Sequence, residues 1–278
     1  MTNYETYKSN TLCKLSAKIR EKGKNIPLGQ WQGKTKNDEY RHILPLLGRN
    51  TREHRIHALQ KYLNVRINKN LSDNEKESLH PYIHHVNSSQ LLCYMVFSKM
   101  LNNNHTPKDS LIQLFEKLGI AISQQAKCFF EYCDDWCWKE EGNEPEGTSF
   151  DFHISDKGKE YFFEIKFTEQ GFGKATKDKR HDKKITELYL PKCKYLTNQP
   201  TTEEFCRFYQ LFRNLLRADK KGKTVIFITD GNNPATNNDL KNFEKYSSSL
   251  NVKHITWQEI CKNWPKGITK PFQFVCFE

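Results

Sequence analysis

The chain has 278 residues, 36% of them hydrophobic and 28% charged, and its 44 Lys and Arg against 33 Asp and Glu leave a formal charge of +11. No run approaches the roughly 18 apolar residues that a membrane-spanning helix needs, which excludes that class. The basic balance favours a polyanionic partner, with nucleic acid well ahead of an anionic membrane surface. A chain of this length holds one large core, or one core with an appended lobe. Its nine cysteines are odd in number and scattered, which suits reduced thiols. Residues 1–20 carry no charged-then-apolar leader pattern, so a cytoplasmic location is expected.

Residues 1–86 read as a mainly helical N-terminal region, serving DNA recognition, dimerisation or simply as a cover over the core. Residues 12–21 and 52–63 are its helix candidates, and the basic stretch 25–37, broken by Pro27, Gly29 and Gly33, suits a loop. Residues 87–278 form the expected core. Asn87 or Ser88 caps an almost wholly apolar helix over 91–101, which should be buried. Thr106-Pro107 opens another helix over 108–118. Residues 129–132 (Phe-Phe-Glu-Tyr) suit a helix end or a short edge strand. Cys128, Cys133 and Cys137 include no Cys-x-x-Cys pair and read as buried thiols rather than a metal site. An acidic Gly/Pro loop, 140–147, follows.

Next come two alternating stretches, 148–155 and 160–168, joined by a polar turn at 156–159 in which Gly158 supplies a positive φ. Alternation puts Phe150, Phe152 and Ile154 on one face and Asp151 and His153 on the other. A four-residue turn pairs Ser155 with Glu160. That register sets Asp151 opposite Glu164, with Lys166 one step along on the same face. Two carboxylates facing each other across a ladder repel, and a divalent cation between them would explain the placement. His153 shares the Asp151 face, where a structural hydrogen bond and a catalytic role are both open to it.

A basic run follows, with Lys174, Lys177, Lys179 and Arg180 placed to lie along a phosphate backbone. Residues 187–196 are a third strand candidate. Thr201 and Thr202 open a helix to about Arg217, with Phe205, Phe208, Phe212 and Leu215 as its apolar stripe. Gln210, Arg213, Asn214 and Arg217 form a separate polar stripe. Residues 224–229 (TVIFIT) suit an inner strand, 238–250 a helix, and 252–256 a last strand. The order predicts an α/β core with a mixed sheet.

Asp151, Glu164 and Lys166 suit metal-dependent phosphodiester hydrolysis. Mg²⁺ takes carboxylate, carbonyl and water oxygens, so Asp151, Glu164 and the Ile165 carbonyl are its expected ligands, with Mn²⁺ able to substitute. Lys166 would orient the attacking water, or help deprotonate it if its pKa is depressed. The pattern Asp–x12–Glu–x–Lys across a hairpin resembles the PD-(D/E)XK nuclease superfamily, although Phe150 stands where a proline often precedes the first acid. Four further runs are similar to a restriction-endonuclease-like branch: Ser88-Ser89-Gln90, Phe130-Glu131-Tyr132, Lys166-Phe167-Thr168-Glu169, and Gln210-Leu211-Phe212-Arg213-Asn214. The resemblance covers roughly residues 87–235. It implies a central four-stranded mixed sheet flanked by helices, and Mg²⁺-dependent cleavage leaving a 5′-phosphate. It also implies a catalytic or second-metal role for Glu131, and contacts to nucleic acid from Gln90, Gln210 and Arg213. The expected activity is a type II restriction or phage-defence endonuclease on double-stranded DNA. A homodimer is expected because two-strand cleavage matches two-fold symmetry. The alternatives are a non-catalytic nucleic-acid-binding protein with the same fold, and a nuclease acting on RNA or free DNA ends.

Overall fold

The computed structural model describes residues 2–22, 42–46, 49–64, 79–133, 149–196, 198–218, 221–248 and 250–277. The expected loops at 25–37 and 140–147, and Cys137, lie outside the described residues.

The hairpin forms as its register requires. Strand β2 (Phe150–Asp156) and β3 (Lys159–Ile165) pair antiparallel, with Ser155 opposite Glu160 and Asp156 opposite Lys159. Lys157 (φ 49°) and Gly158 (φ 80°) both take positive φ between them. That is the tight turn whose twist matches a right-handed ladder. Residues 129–132 fall in β1 (Lys127–Tyr132), an edge strand antiparallel to β2. On the other side β4 (Lys223–Thr229) and β5 (Val252–Thr256) add in parallel. The mixed sheet therefore has five strands in the order β1-β2-β3-β4-β5, one more than expected.

Two cores sandwich the sheet. On one face Tyr161, Phe163, Ile165, Ile226 and Ile228 meet helix α3 (Ser89–Phe97) and α4 (Asp109–Lys117). Ser88 caps α3 by accepting from the Leu91 N–H at 3.3 Å. Every residue of α3 from Gln90 onward is buried, and Phe97 stacks on Phe152 with ring centroids 4.7 Å apart. Each such Leu or Phe contributes roughly 1.5–3 kcal/mol on burial, which holds this polar-capped helix inside. On the other face Phe162, Val225 and Phe227 meet Phe205, Phe208, Phe212 and Leu215, so the expected apolar stripe is buried.

The N-terminal helix α1 (Asn3–Lys22) runs longer than expected, and α2 matches as Arg52–Leu63. Leu15, Ile19, Leu44, Ile56 and Leu59 share the core that holds β3. The Tyr4 hydroxyl donates to the Thr168 carbonyl at 2.8 Å, and Tyr7 donates to the Phe167 carbonyl at 2.9 Å. These bonds fasten α1 to the end of β3, beside the expected metal strand. No helix among the described residues is long and apolar enough to cross a membrane.

Three local expectations need correcting. Residues 187–196 are helical rather than a strand, spanning a π-helix (Ile185–Tyr189) and a 3-10 helix (Leu190–Tyr195). Ile185, Tyr189, Cys193 and Leu196 are the buried set, and their spacing of four, four and three is helical. The helix over 201–217 is broken into α6 (Thr202–Arg207) and α7 (Tyr209–Leu215), with α5 (Lys179–Lys184) preceding them. The break is at Phe208 (φ −116°, ψ 38°), whose ring still packs inward. Lastly, Phe150 does not share the face of Phe152 and Ile154; it joins the opposite core with Phe162. Across the ladder, Glu131 takes φ 49°, and its neighbours Phe130 and Tyr132 also pack on opposite sides. A non-glycine residue in that conformation interrupts the two-residue alternation locally. The interruption falls beside Asp151.

Candidate active site

Asp151 and Glu164 come from the open ends of β2 and β3, and Lys166 from the residue after β3 ends. All three line a cleft of about 850 Å³ together with Glu131, Glu169 and Gln210. Asp151 is held by the backbone: the Ile165 N–H donates to its Oδ2 at 2.7 Å. Beneath it, the buried Cys93 thiol approaches the Asp151 carbonyl at 3.5 Å.

Glu164 is 3% exposed, and three donors meet its carboxylate, which leaves acceptor capacity on Oε2. Lys166 Nζ lies 2.9 Å from Oε1, Gln210 Nε2 donates to Oε1 at 2.8 Å, and Asn214 Nδ2 donates to Oε2 at 3.0 Å. Gln210 Oε1 in turn accepts from the Gly173 N–H at 3.2 Å, so this amide ties the loop after β3 to the acid. Gln210 thus orients Glu164 from α7 while facing the cleft. Its neighbour on the stripe, Asn214, is fully buried. Arg213 lies with its guanidinium 5.1 Å from the Tyr209 ring centroid. Removing the buried Asn214 amide strands one oxygen of a charged carboxylate. Asn214→Ala is therefore expected to cost about 2 kcal/mol in urea unfolding, the usual range for a bond to a charged group.

Both ends of the trio have raised pKa values, which favours a neutral acid at one end and a charged amine at the other. Burial, then repulsion from Glu164, pushes the Asp151 carboxyl well above the usual range, only partly opposed by Lys166 and the Ile165 N–H. Burial alone would lower Lys166, but Glu164, Glu169 and Asp151 outweigh it and raise its pKa. Lys166 is a firmly held cation here, the reverse of the depressed lysine that a proton-accepting role requires.

This donor set fits a divalent cation. Two desolvated carboxylates with one lysine leave Asp151 favouring a proton, a position that a hard cation satisfies equally well. Among the described residues no three His, Cys, Asp or Glu side chains form a metal-binding group. Mg²⁺ commonly takes one or two carboxylates and completes its shell with water and substrate phosphate oxygens, a demand that two acids can meet. Ile165, whose carbonyl is the expected third ligand, is held in register opposite Ile228. Glu131 faces the same cleft from its strained position on β1.

Among the described residues, the remaining expected ones do not point free side chains at the trio in the way the sequence implied, as their surroundings show. Gln90 lines the cleft, but its side chain is buried and its Oε1 accepts from the His80 N–H at 2.9 Å. Lys174, Lys177 and Lys179 are exposed on the segment leading into α5. Lys177 lies 3.3 Å from Glu203, an exposed pair of little energetic consequence. The Arg180 side chain lies outside the described residues. His153 is packed rather than presented, stacked at 3.8 Å on Tyr132 and 3.6 Å from Glu160.

Sequence reasoning passed over one wall of this cleft, made by His42, His80, Tyr82 and His85. The only sequence signal for it is the density of rings in His80-Pro81-Tyr82-Ile83-His84-His85. Sequence reasoning also gave Glu169 no role.

No curated protein and no solved structure matches the chain. A family model described as "Restriction Endonuclease associating with ARP" matches residues 14–273, which takes in the second half of α1, the whole sheet and every residue of the trio. The chain belongs to that restriction endonuclease family.

Proposed function

We propose that the protein is a divalent-metal-dependent endonuclease that hydrolyses phosphodiester bonds of double-stranded DNA, as a type II restriction or phage-defence enzyme. The observation that carries this reading is the convergence of Asp151, Glu164 and Lys166 on one cleft, with the Glu164 and Lys166 side chains nearly closed off from solvent. Family membership supports the nuclease chemistry. The charge of +11 supports a nucleic-acid substrate.

Asp151 and Glu164 would hold Mg²⁺ or Mn²⁺, which when bound polarises a phosphoryl oxygen and makes water a better nucleophile. The chain's own groups supply positioning. The Ile165 N–H fixes one oxygen of Asp151, which lines the cleft. Gln210 and Asn214 hold the Glu164 carboxylate in one orientation. Lys166, charged and short of solvent, orients the attacking water and offsets negative charge that builds on the phosphorus oxygens. Attack forms a new P–O bond as the bond to the 3′ oxygen breaks, leaving a 5′-phosphate. A homodimer would bring two such clefts to the two strands. The family description names association with ARP, so such a partner belongs in the assay.

The test is incubation of plasmid DNA with the protein and Mg²⁺ or Mn²⁺, against EDTA controls. Discrete fragments that depend on the metal are expected. Failure to cut modified or unmodified DNA with either metal, alone or with its partner, ends the reading.

A further inference from the structure

The cleft has a second wall whose chemistry differs from that of the acidic trio. Tyr82 is one of two large hydrophobic side chains that stay exposed among the described residues, at 40%. It projects beside His80 and His85, with ring centroids 5.0 Å and 5.2 Å away, and His42 lies 6.0 Å beyond His85.

This ring cluster is rigidly built. Ile43 bridges His85, the Leu44 N–H donates to the His84 carbonyl at 3.1 Å, and the Val86 N–H donates to the His42 carbonyl at 2.9 Å. Arg55 and Asn50 reach the carbonyls of Leu79 and Pro81, both at 3.4 Å, and Gln90 holds the His80 N–H. The segment carrying Tyr82 is thus secured at both ends.

The rings are also uncharged. Burial, reinforced by His84, His42 and His80, pushes His85 down to about 3, and burial beside Arg55 pushes His84 down to about 4. His80 is lowered too, chiefly by burial. The Tyr82 N–H donates to His80 Nδ1 at 3.2 Å, so the neutral ring keeps its proton on Nε2. A surface meant for phosphate would carry lysine or arginine. Uncharged rings tilted against one another, with Tyr82 left exposed among them, instead offer a flat face and an occasional ring N–H to the face and polar edge of a nucleobase. A concave cleft of about 850 Å³ is also of a size that takes in a small ligand, where a duplex backbone alone needs only a groove.

We propose that Tyr82, flanked by His80 and His85, is a stacking platform for an unpaired DNA base adjoining the phosphate that lies at Asp151, Glu164 and Lys166. The proposal rests on the nuclease reading of that trio. Gln90 acts as a positioning residue, joining the platform to α3. The base comes either from a single strand or from a duplex position that has been turned out of the stack.

The test measures binding of the full chain with Ca²⁺ in place of Mg²⁺, so that turnover does not intervene. The probes are a thymidine oligonucleotide, the same strand built of abasic residues, and duplexes with and without one unpaired base. Wild type is expected to bind the thymidine strand about tenfold more tightly than the abasic strand, the usual worth of one stacked base. Tyr82→Ala should lose most of that preference, and Tyr82→Phe and Tyr82→Trp should keep it within about twofold, with the same salt dependence throughout. A matching loss with the unpaired-base duplex identifies an extruded base, and a loss confined to the thymidine strand identifies single-stranded DNA. Equal affinity of Tyr82→Ala and wild type for every probe overturns the platform, as does a loss accompanied by a shallower salt slope, which marks a phosphate contact. DNA cleavage by a wild type that shows no base preference rejects the platform and leaves the nuclease reading standing. Base preference without cleavage on any substrate rejects the nuclease reading alone.

Discussion

Asp151→Asn is expected to abolish metal-dependent DNA cleavage, by on the order of 10³-fold or more, while making the protein harder to unfold. The loss follows from removing a carboxylate that would hold the proposed divalent metal; several kcal/mol of transition-state stabilisation correspond to that factor. The gain follows from the same geometry. Asp151 is half-buried near Glu164, and its pKa is raised in the folded state. A carboxyl so raised contributes stability below its unfolded pKa and loses it as pH climbs through the folded pKa. At neutral pH the ionised form therefore strains the fold. Asparagine keeps an oxygen for the Ile165 N–H and removes the repulsion. A rise in Tm of about 2–4 °C at pH 7, shrinking as the pH is lowered, is expected for a chain of this size. Mn²⁺ should stabilise the wild type and leave Asp151→Asn unaffected, which checks metal binding without any turnover. A variant that still cuts DNA, or that loses stability at neutral pH, contradicts the assignment.

Lys166→Ala should lose cleavage by about 10²–10⁴-fold and, in contrast, unfold more readily. Its ammonium lies 2.9 Å from Glu164 Oε1, and both side chains are nearly closed off from solvent. Removing one partner of such a pair leaves buried charge without compensation, a cost of about 3–5 kcal/mol. Asp151 loses a neighbour that lowers its pKa, so the carboxyl shifts further upward. The stability deficit should therefore shrink as the pH falls and the carboxyl takes up a proton. Combining Lys166→Ala with Asp151→Asn should recover part of the lost stability, because the second change removes one of the two stranded charges. Denaturant unfolding of the two single variants and the double variant across pH 5 to 8, a range of roughly that width around the histidine region, reads the coupling. Additive effects would mean that these side chains do not share one electrostatic site.

The hairpin was legible because its signals are local. A turn with Gly158, and alternation on either side, suffice to pair Ser155 with Glu160 and carry Asp151 and Glu164 to one end of the ladder. The buried helix α3 was legible from its unbroken apolar run and from its Ser88 cap. Residues 187–196 were misread because Leu188, Leu190, Leu196 and the tyrosines suit either period. Only the four-residue spacing of Ile185, Tyr189 and Cys193 shows which face packs.

By itself the sequence determined the placement of the trio: the acids, the lysine two residues on, and the strands that bear them are all set by short-range periodicity. It also determined that the strands would be buried, since both carry too much aromatic surface for a free hairpin. Tertiary structure decided what surrounds the trio. Gln210 and Asn214 reach Glu164 across 46 and 50 residues of chain, and their amides turn from a polar stripe into ligands of a buried carboxylate. Lys166 was placed by sequence, but its charge state was decided by Glu164, Glu169 and Asp151 once folding removed water from among them. The ring wall around Tyr82 arose in the same way. Residues 42–44 and 84–86 have no shared period, and only their bridge brings those rings to the cleft. Periodicity acts within an element, whereas desolvation and long-range pairing act between elements, so the acids were written in the chain and their environment was made by the fold.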